Sequence, residues 1–295
     1  MGDTKQPSTF ANKTGSQLIA AMINCFFFGI AFLRTLQYFR RYARKDPLYV
    51  RVIIGMMITL ATLQTIFVNH QSYRDTISRY EGAQDSRLIE FTVPGKYICV
   101  YLITFIAQMF FTARIWTLTK SVGRSARFAL IPLVALALLQ LINGCILVHV
   151  EATSKTFADL GTHAHLLIGP TAMQGAATAA ADIVVTVTLC YLYHVYGSVS
   201  SKVNGTVGRL VIYAINRAAA TSICAVLSVF LFYFVSGTYY FMVPALMTGQ
   251  LYIISVVSVL TSEESLRGDI EPGALKADSI TKIETDKYSH SEKSV

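Results

Sequence analysis

Two ionisable side chains lie deep inside long apolar stretches and are the strongest candidates for chemistry. Asp182 lies near the middle of one apolar run, and Arg217 lies about two turns inside the next. Because a charge in hydrocarbon is costly, such residues mark ligand, ion or proton sites. At 1.5 Å per residue the predicted depths of the two differ by about 10 Å. This leaves open a direct ion pair or an Arg217 side chain that reaches back to the membrane surface.

Neutral polar side chains accompany this pair. Lipid cannot hydrogen-bond them, so they are expected to face the interior of a helix bundle. Most of the amides are interpreted as bonds between helices, worth about 1 kcal/mol each. The buried amides predicted on this ground are Asn24, Gln64, Gln108, Gln140, Asn143, Asn216 and Gln250. The predicted ligand-binding set is Asp182, Arg217, Asn216, Gln108, Gln250 and Tyr252.

Four of the six histidines gather on one predicted face of the protein: His70, His149, His163 and His165. They are weak candidates for a metal site or a pH sensor. No metal-ligand spacing such as HExxH is present, which favours ordinary interfacial and loop histidines. Paired carboxylates and other catalytic constellations are also missing from the sequence. We therefore predict no metal, no cofactor, no catalytic residue and no enzymatic activity.

The composition points to a membrane protein. Hydrophobic residues make up 53% of the 295 positions and charged residues only 14%, against about 25% charged in a soluble domain. A helix needs about 20 mainly apolar residues to cross the hydrocarbon. Seven runs qualify: residues 15–39, 49–70, 96–119, 128–150, 173–196, 210–235 and 238–261. The predicted fold is all-α, a polytopic bundle of seven transmembrane helices.

The distribution of charge predicts the orientation of this bundle. The net charge is +8, and its basic clusters fall in the first, third and fifth loops. Positive loops stay in the cytosol, so the N-terminus is expected outside and the C-terminus inside, with the plasma membrane as the location. The lipid bilayer is the expected partner of the helices, and the basic loops are candidates for a cytosolic partner. Nucleic-acid binding is not expected, because no soluble domain carries a basic face.

Three regions follow from these boundaries. Residues 1–14 form a short extracellular N-terminus, residues 15–261 form the transmembrane domain, and residues 262–295 form a polar cytosolic tail. The tail cannot bury enough apolar surface to order itself and is predicted to be disordered. Within the domain, Ser236-Gly237 predicts a tight turn between the last two helices. Pro244 predicts a kink in the seventh.

Several short motifs extend along the chain: Phe28-Gly29, Tyr38-Phe39, Arg114-Ile115-Trp116, Ala181-Asp182, Leu189-Cys190-Tyr191 and Leu251-Tyr252. Through them the chain resembles a fungal, chiefly basidiomycete, seven-helix family with domain of unknown function 6534. The resemblance covers nearly everything except the two termini and is strongest in the second half. It implies the fold and a membrane location, and it implies no activity. Arg217 departs from the family pattern, in which we expect a small or neutral residue at that position.

Three functions compete. The leading interpretation is a receptor-like or sensory protein with a small-molecule pocket among the third, fifth, sixth and seventh helices. The alternative is a small transporter that uses Asp182 as an intramembrane ion or proton site. A structural or lipid-interacting membrane protein is third.

Overall fold

The protein is a bundle of seven α-helices in a computed structural model that describes residues 6–41, 43, 46–77, 90–119, 130–154, 164–196, 201–235 and 239–261. The helices are α1 Gln6–Arg41, α2 Leu48–Ile77, α3 Thr92–Thr119, α4 Leu130–Thr153, α5 Ala164–Tyr196, α6 Ser201–Phe234 and α7 Met242–Thr261. Every regular element in these ranges is helical. The prediction of an all-α fold is confirmed.

All seven helices contain a stretch that is long and apolar enough to cross a membrane. The shortest, α7, has 20 residues, which span about 30 Å and match the hydrocarbon thickness. The seven predicted spans are therefore confirmed, with ends that differ by a few residues. The chain is a multi-pass membrane protein.

Consecutive helices pack side by side from α1 to α6, and α3 also contacts α5. The most enclosed helices are α3 and α7, of whose apolar windows 61% and 56% are buried. They form the centre of the bundle, where the main apolar core includes Phe111, Leu189 and Val256. Large apolar side chains also cover the outside, as Phe26 and Val226 do. An apolar exterior suits a bundle surrounded by lipid.

Two amides join α1, α2 and α7. Asn24 donates to the Thr65 hydroxyl at 3.3 Å. The Gln64 amide nitrogen donates to Asn24 Oδ1 at 3.4 Å and to the Leu246 carbonyl at 3.1 Å. Because three helices share these bonds, the interpretation of Asn24 and Gln64 as interhelical bonds is confirmed.

The predicted kink at Pro244 is wrong. Helix α7 begins at Met242, so Pro244 lies in its first turn. The N–H groups of a first turn have no partner within the helix, and the missing N–H of proline breaks no bond there. The predicted turn at Ser236-Gly237 and the tail of residues 262–295 lie outside the described residues.

Candidate functional site

The side chain of Asp182 on α5 lies at the centre of the bundle and contacts two other helices. Arg217 Nη2 on α6 is 2.9 Å from Asp182 Oδ1, and both side chains are at most 2% exposed. The hydroxyls of Thr221 on α6 and Tyr252 on α7 donate to Asp182 Oδ2 at 2.8 Å and 3.0 Å. We call these four residues, with Phe111 on α3, the Asp182 cluster.

The lengths of α5 and α6 explain why Asp182 and Arg217 meet. Asp182 lies 14 positions before Tyr196, where α5 ends, and Arg217 lies 16 positions after Ser201, where α6 begins. At 1.5 Å per residue these separations are about 21 Å and 24 Å. The two residues therefore lie at nearly the same depth in adjacent antiparallel helices. Of the two arrangements that the sequence left open, the structure contains the direct pair.

The guanidinium of Arg217 is enclosed by aromatic rings. Its central carbon lies 4.1 Å from the ring centroid of Phe111 and 5.4 Å from that of Tyr252. Both distances are within the range of a cation–π interaction. None of the three guanidinium nitrogens makes a hydrogen bond within the described part of the chain. A guanidinium offers five N–H donors, so Arg217 has capacity to bind an acceptor.

The two oxygens of Asp182 differ in their surroundings. Oδ2 accepts two hydroxyl hydrogen bonds, whereas Oδ1 is close to the guanidinium without the alignment of a hydrogen bond. The hydroxyls fix the carboxylate through Oδ2, and Oδ1 faces the guanidinium. A ligand at this pair would have to bring an acceptor to Arg217 or a donor to Asp182. The cluster contains a single carboxylate, whereas glycoside hydrolysis uses a pair of them.

Three glutamines are buried without a well-aligned hydrogen bond to their amide atoms in the described residues, although the Gln108 amide lies within reach of the Tyr252 hydroxyl. Gln108 is 2% exposed, and Gln140 and Gln250 are fully buried. Gln108 lies one turn before Phe111 on α3, on the same helix face as that ring. Buried amides without partners require water, an ion or a ligand. Of the predicted ligand-binding set, Tyr252 donates to Asp182, and Gln108 and Gln250 are buried.

Asn216 does not join this set. Its side chain is exposed on the outside of α6, although the next residue, Arg217, is fully buried. One step along a helix rotates a side chain by about 100°, so the two neighbours cannot share a face. The prediction that Asn216 faces the interior is wrong.

Lys96 is a buried charge that the sequence interpretation missed. Helix α3 begins at Thr92, four residues earlier than predicted, so Lys96 lies one turn inside the helix. Its side chain is 2% exposed and donates to Gln71 Oε1 at 2.6 Å. Pro94 indicates this earlier helix start in the sequence, because proline favours the first turn of a helix.

Of the four candidate histidines, the structure describes the side chains of His70 on α2 and His149 on α4. His70 is exposed and lies 4.0 Å from Glu90, which also pairs with Arg74. His149 is exposed on α4. His163 lies outside the described residues, and His165 is part of α5. Within the described ranges no three His, Cys, Asp or Glu side chains are placed to hold a metal ion.

Four of the five residues of the Asp182 cluster lie in the part of the chain that a family model matches. A sequence model of a family of unknown function (DUF6534) matches residues 178–265. The match contains Asp182, Arg217, Thr221 and Tyr252, and it supports the resemblance in the half where the motifs are densest. No curated protein and no solved structure matches the chain.

Proposed function

We propose that this protein is a receptor-like or sensory membrane protein whose switch is the Asp182–Arg217 pair. The observation that carries the proposal is a fully buried guanidinium with an ion contact, two aromatic rings and no hydrogen bond in the described residues. A pair kept only for stability gains most when every donor is satisfied, because its desolvation is costly. An incompletely satisfied charge at a helix junction therefore favours a functional role.

The pair is placed to hold one arrangement of the helices. Asp182 is bound from α6 by Arg217 and Thr221, and from α7 by Tyr252. A ligand that supplies an acceptor to Arg217, or a donor to Asp182, competes with these contacts and favours a second arrangement. Such differential contacts are what a ligand needs to shift a conformational equilibrium. The proposed ligand is thus a small molecule with a carboxylate or another strong acceptor.

The alternative function is a small transporter. The deep carboxylate favours a transporter, because Asp182 Oδ1 lies 2.9 Å from the guanidinium and accepts no hydrogen bond within the described residues. A proton or cation at that oxygen would release Arg217, and coupled release of this kind drives proton-dependent transport. The two functions use the same residues and differ in whether anything crosses the membrane.

The charge pattern and the family resemblance support a topology and a location for the proposed receptor. We propose an extracellular N-terminus, a cytosolic tail, the plasma membrane and a fungal source. It also includes a cytosolic partner that binds the basic loops. A protein that acts as receptor needs such a partner on the side opposite to its ligand.

A single preparation of the purified protein can distinguish the receptor function from the transporter function. The purified protein is placed in nanodiscs, and its thermal unfolding is recorded with small carboxylic acids and with the corresponding alcohols. The same protein in liposomes that contain a pH-sensitive dye is tested for proton flux. We expect stabilisation by an acid, none by its alcohol, and no flux above that of empty liposomes.

The matched variants are Asp182→Asn and Arg217→Gln, with the exposed Arg40→Gln as the control. Arg217→Gln should abolish the stabilisation by the acid, and Arg40→Gln should leave it unchanged. If wild type shows proton flux and Asp182→Asn abolishes it, the protein is a transporter and the receptor interpretation is wrong. If neither stabilisation nor flux is observed, a structural role is favoured.

A further inference from the structure

The outside of α6 carries an amide at a depth where lipid surrounds the bundle. Asn216 lies within the apolar span of this helix, which extends from Gly208 to Leu231. At 1.5 Å per residue it is about 12 Å from one end of the span and about 22 Å from the other. Its side chain is exposed on the outside of the bundle. Because lipid cannot hydrogen-bond an amide, a partner for Asn216 must come from protein.

Other polar side chains on the outside of the bundle are satisfied within their own helix. The exposed Thr59 donates to the Gly55 carbonyl at 2.8 Å, and the exposed Asn69 donates to the Thr65 carbonyl at 2.8 Å. Within the described ranges the amide of Asn216 makes no hydrogen bond. Its two N–H donors and its carbonyl acceptor are therefore available to a neighbouring molecule.

Small side chains accompany this amide on the same side of α6. Asn216, Ala219, Ser222 and Val226 are all exposed, and their spacing of three or four residues places them on one helix face, which we call the Asn216 face. Ser222 lies about 9 Å from Asn216 toward the N-terminal end of the bundle, the end where α1 begins. Small residues allow two membrane helices to approach closely enough for their polar side chains to hydrogen-bond.

The amide selects the partner. An asparagine side chain both donates and accepts, so it is complementary to a second asparagine, and the Asn216 face carries no charge that an oppositely charged partner would have to meet. Two copies with the same orientation in a membrane are related by a two-fold axis along the membrane normal, which brings identical residues to the same depth. A single asparagine pair between helices is known to fix their register. We propose that the protein forms a two-fold dimer through α6, in which the two Asn216 amides hydrogen-bond to each other.

The proposed dimer contact adjoins the charged pair. Asn216 directly precedes Arg217, whose guanidinium lies 2.9 Å from Asp182 inside the bundle. The dimer would therefore hold, from the outside, the helix turn that carries the pair on the inside. Dimer formation does not depend on the proposed receptor function, and its test needs no ligand.

The first test counts copies of the full chain. Protein with a fluorescent label on a C-terminal tag is placed in phosphatidylcholine liposomes over a range of protein-to-lipid ratios, and photobleaching steps give the fraction of dimers. Asn216→Leu should raise the Kd of the dimer about tenfold, because two interhelical hydrogen bonds are lost. Ala219→Trp should raise it at least as much by keeping the helices apart. Ile183→Trp, which is 59% exposed on α5 beside Asp182, is the control at the same depth and should leave the Kd unchanged.

The second test locates the interface by disulfide formation. With a membrane-permeant oxidant, Ala219→Cys should give a covalent dimer, because the centre of the Asn216 face lies near the two-fold axis. Ile183→Cys should give no more than wild type, whose exposed Cys145 and Cys190 set the background.

Three outcomes would overturn the proposal. Monomers at every protein-to-lipid ratio would mean that something other than a second copy covers this face. A dimer that Asn216→Leu leaves as stable as wild type would not depend on the amide. Cross-links through Ile183→Cys and not through Ala219→Cys would place the contact on α5. Thermal unfolding of each variant shows whether the monomer is folded, and Asn216→Gln, which keeps an amide, should retain more dimer than Asn216→Leu.

Discussion

Asp182 and Arg217 each stabilise the charge of the other inside the bundle. Moving either charge out of water is unfavourable by several kcal/mol, and the attraction between the charges at 2.9 Å offsets part of this desolvation free energy. Loss of one partner leaves the other buried and unpaired. The energetic consequence of a substitution here depends on which partners remain.

The pair is expected to show strong coupling in stability. Asp182→Asn and Arg217→Gln should each lower the free energy of unfolding by about 3 kcal/mol, because each strands a buried charge. The double variant should be less destabilised than the sum of the two. Chemical unfolding in detergent micelles measures all three, with the exposed Arg40→Gln as a control expected within about 0.5 kcal/mol of wild type.

Additive effects of the two substitutions would show that the side chains act independently and would contradict the pair. An Asp182→Asn variant as stable as wild type would do the same. Either result would also remove the basis for a switch at this position.

At this scale the sequence predicts burial better than it predicts contacts. An aspartate and an arginine in apolar runs must avoid lipid, which is why Asp182, Arg217, Gln108 and Gln250 were expected inside. Their partners depend on helix ends that periodicity defines only within a few residues. Polarity alone also predicts Asn216 inside, but Arg217 beside it occupies the inner face. The cation–π contact with Phe111 had no local sequence signal.

Helices α3 and α4 approach each other closely at Gly144. A Cβ atom built on this glycine would lie 2.7 Å from Cδ2 and 2.8 Å from Cγ of the Tyr101 ring. Real side chains do not come this close, so the ring or the backbone would have to move. Glycine at this position permits the contact, as small residues commonly do between membrane helices.

Gly144→Ala should therefore destabilise the protein by about 1–3 kcal/mol, through overpacking against Tyr101. Gly55 on α2 is the matched control, because a Cβ there meets nothing within 4 Å. Gly55→Ala should be neutral or stabilise by up to about 1 kcal/mol, since alanine favours a helix. Thermal unfolding in one detergent compares the two. Equal effects would contradict a close approach of α3 and α4.

At the scale of elements, the seven spans are predictable because apolar runs of about 20 residues are typical of transmembrane helices and longer than the apolar runs of most soluble helices. The ends were harder to predict, because helices continue past the apolar run into polar residues. Helix α6 begins at Ser201, nine residues before its predicted span. Helix α3 begins at Thr92, and this places Lys96 inside it. In α7 the proline that was interpreted as a kink instead marks the first turn.

At the scale of the whole molecule, two sets of polar contacts and one groove share α7. Amides tie α1, α2 and α7 together through Asn24 and Gln64. The charged pair joins α5 and α6 at the centre, and an apolar groove separates α1 from α6. Helix α7 takes part in all three, through Leu246, Tyr252 and the floor of the groove. A movement of α7 would therefore change the groove and the charged pair together.

The two ends of the bundle differ in charge, and this difference predicts the topology. At the end where α1 finishes, the described charged residues are mainly basic, with Arg40, Arg41, Arg51, Arg114 and Arg209 against Asp46. The N-terminal end mixes signs, with Arg74 and Lys96 against Asp75, Glu90 and Glu151. Because basic segments are retained in the cytosol, the N-terminus should lie outside and the C-terminus inside.

Epitope tags at the two termini test this topology in intact cells. An antibody should label the N-terminal tag without permeabilisation and the C-terminal tag only after it, and labelling of both in permeabilised cells controls for expression. Reversed labelling would mean that the basic end faces outward, against its attraction to the anionic cytosolic leaflet. Labelling of both termini on one side would require an even number of spans, so one of the seven apolar helices would not cross.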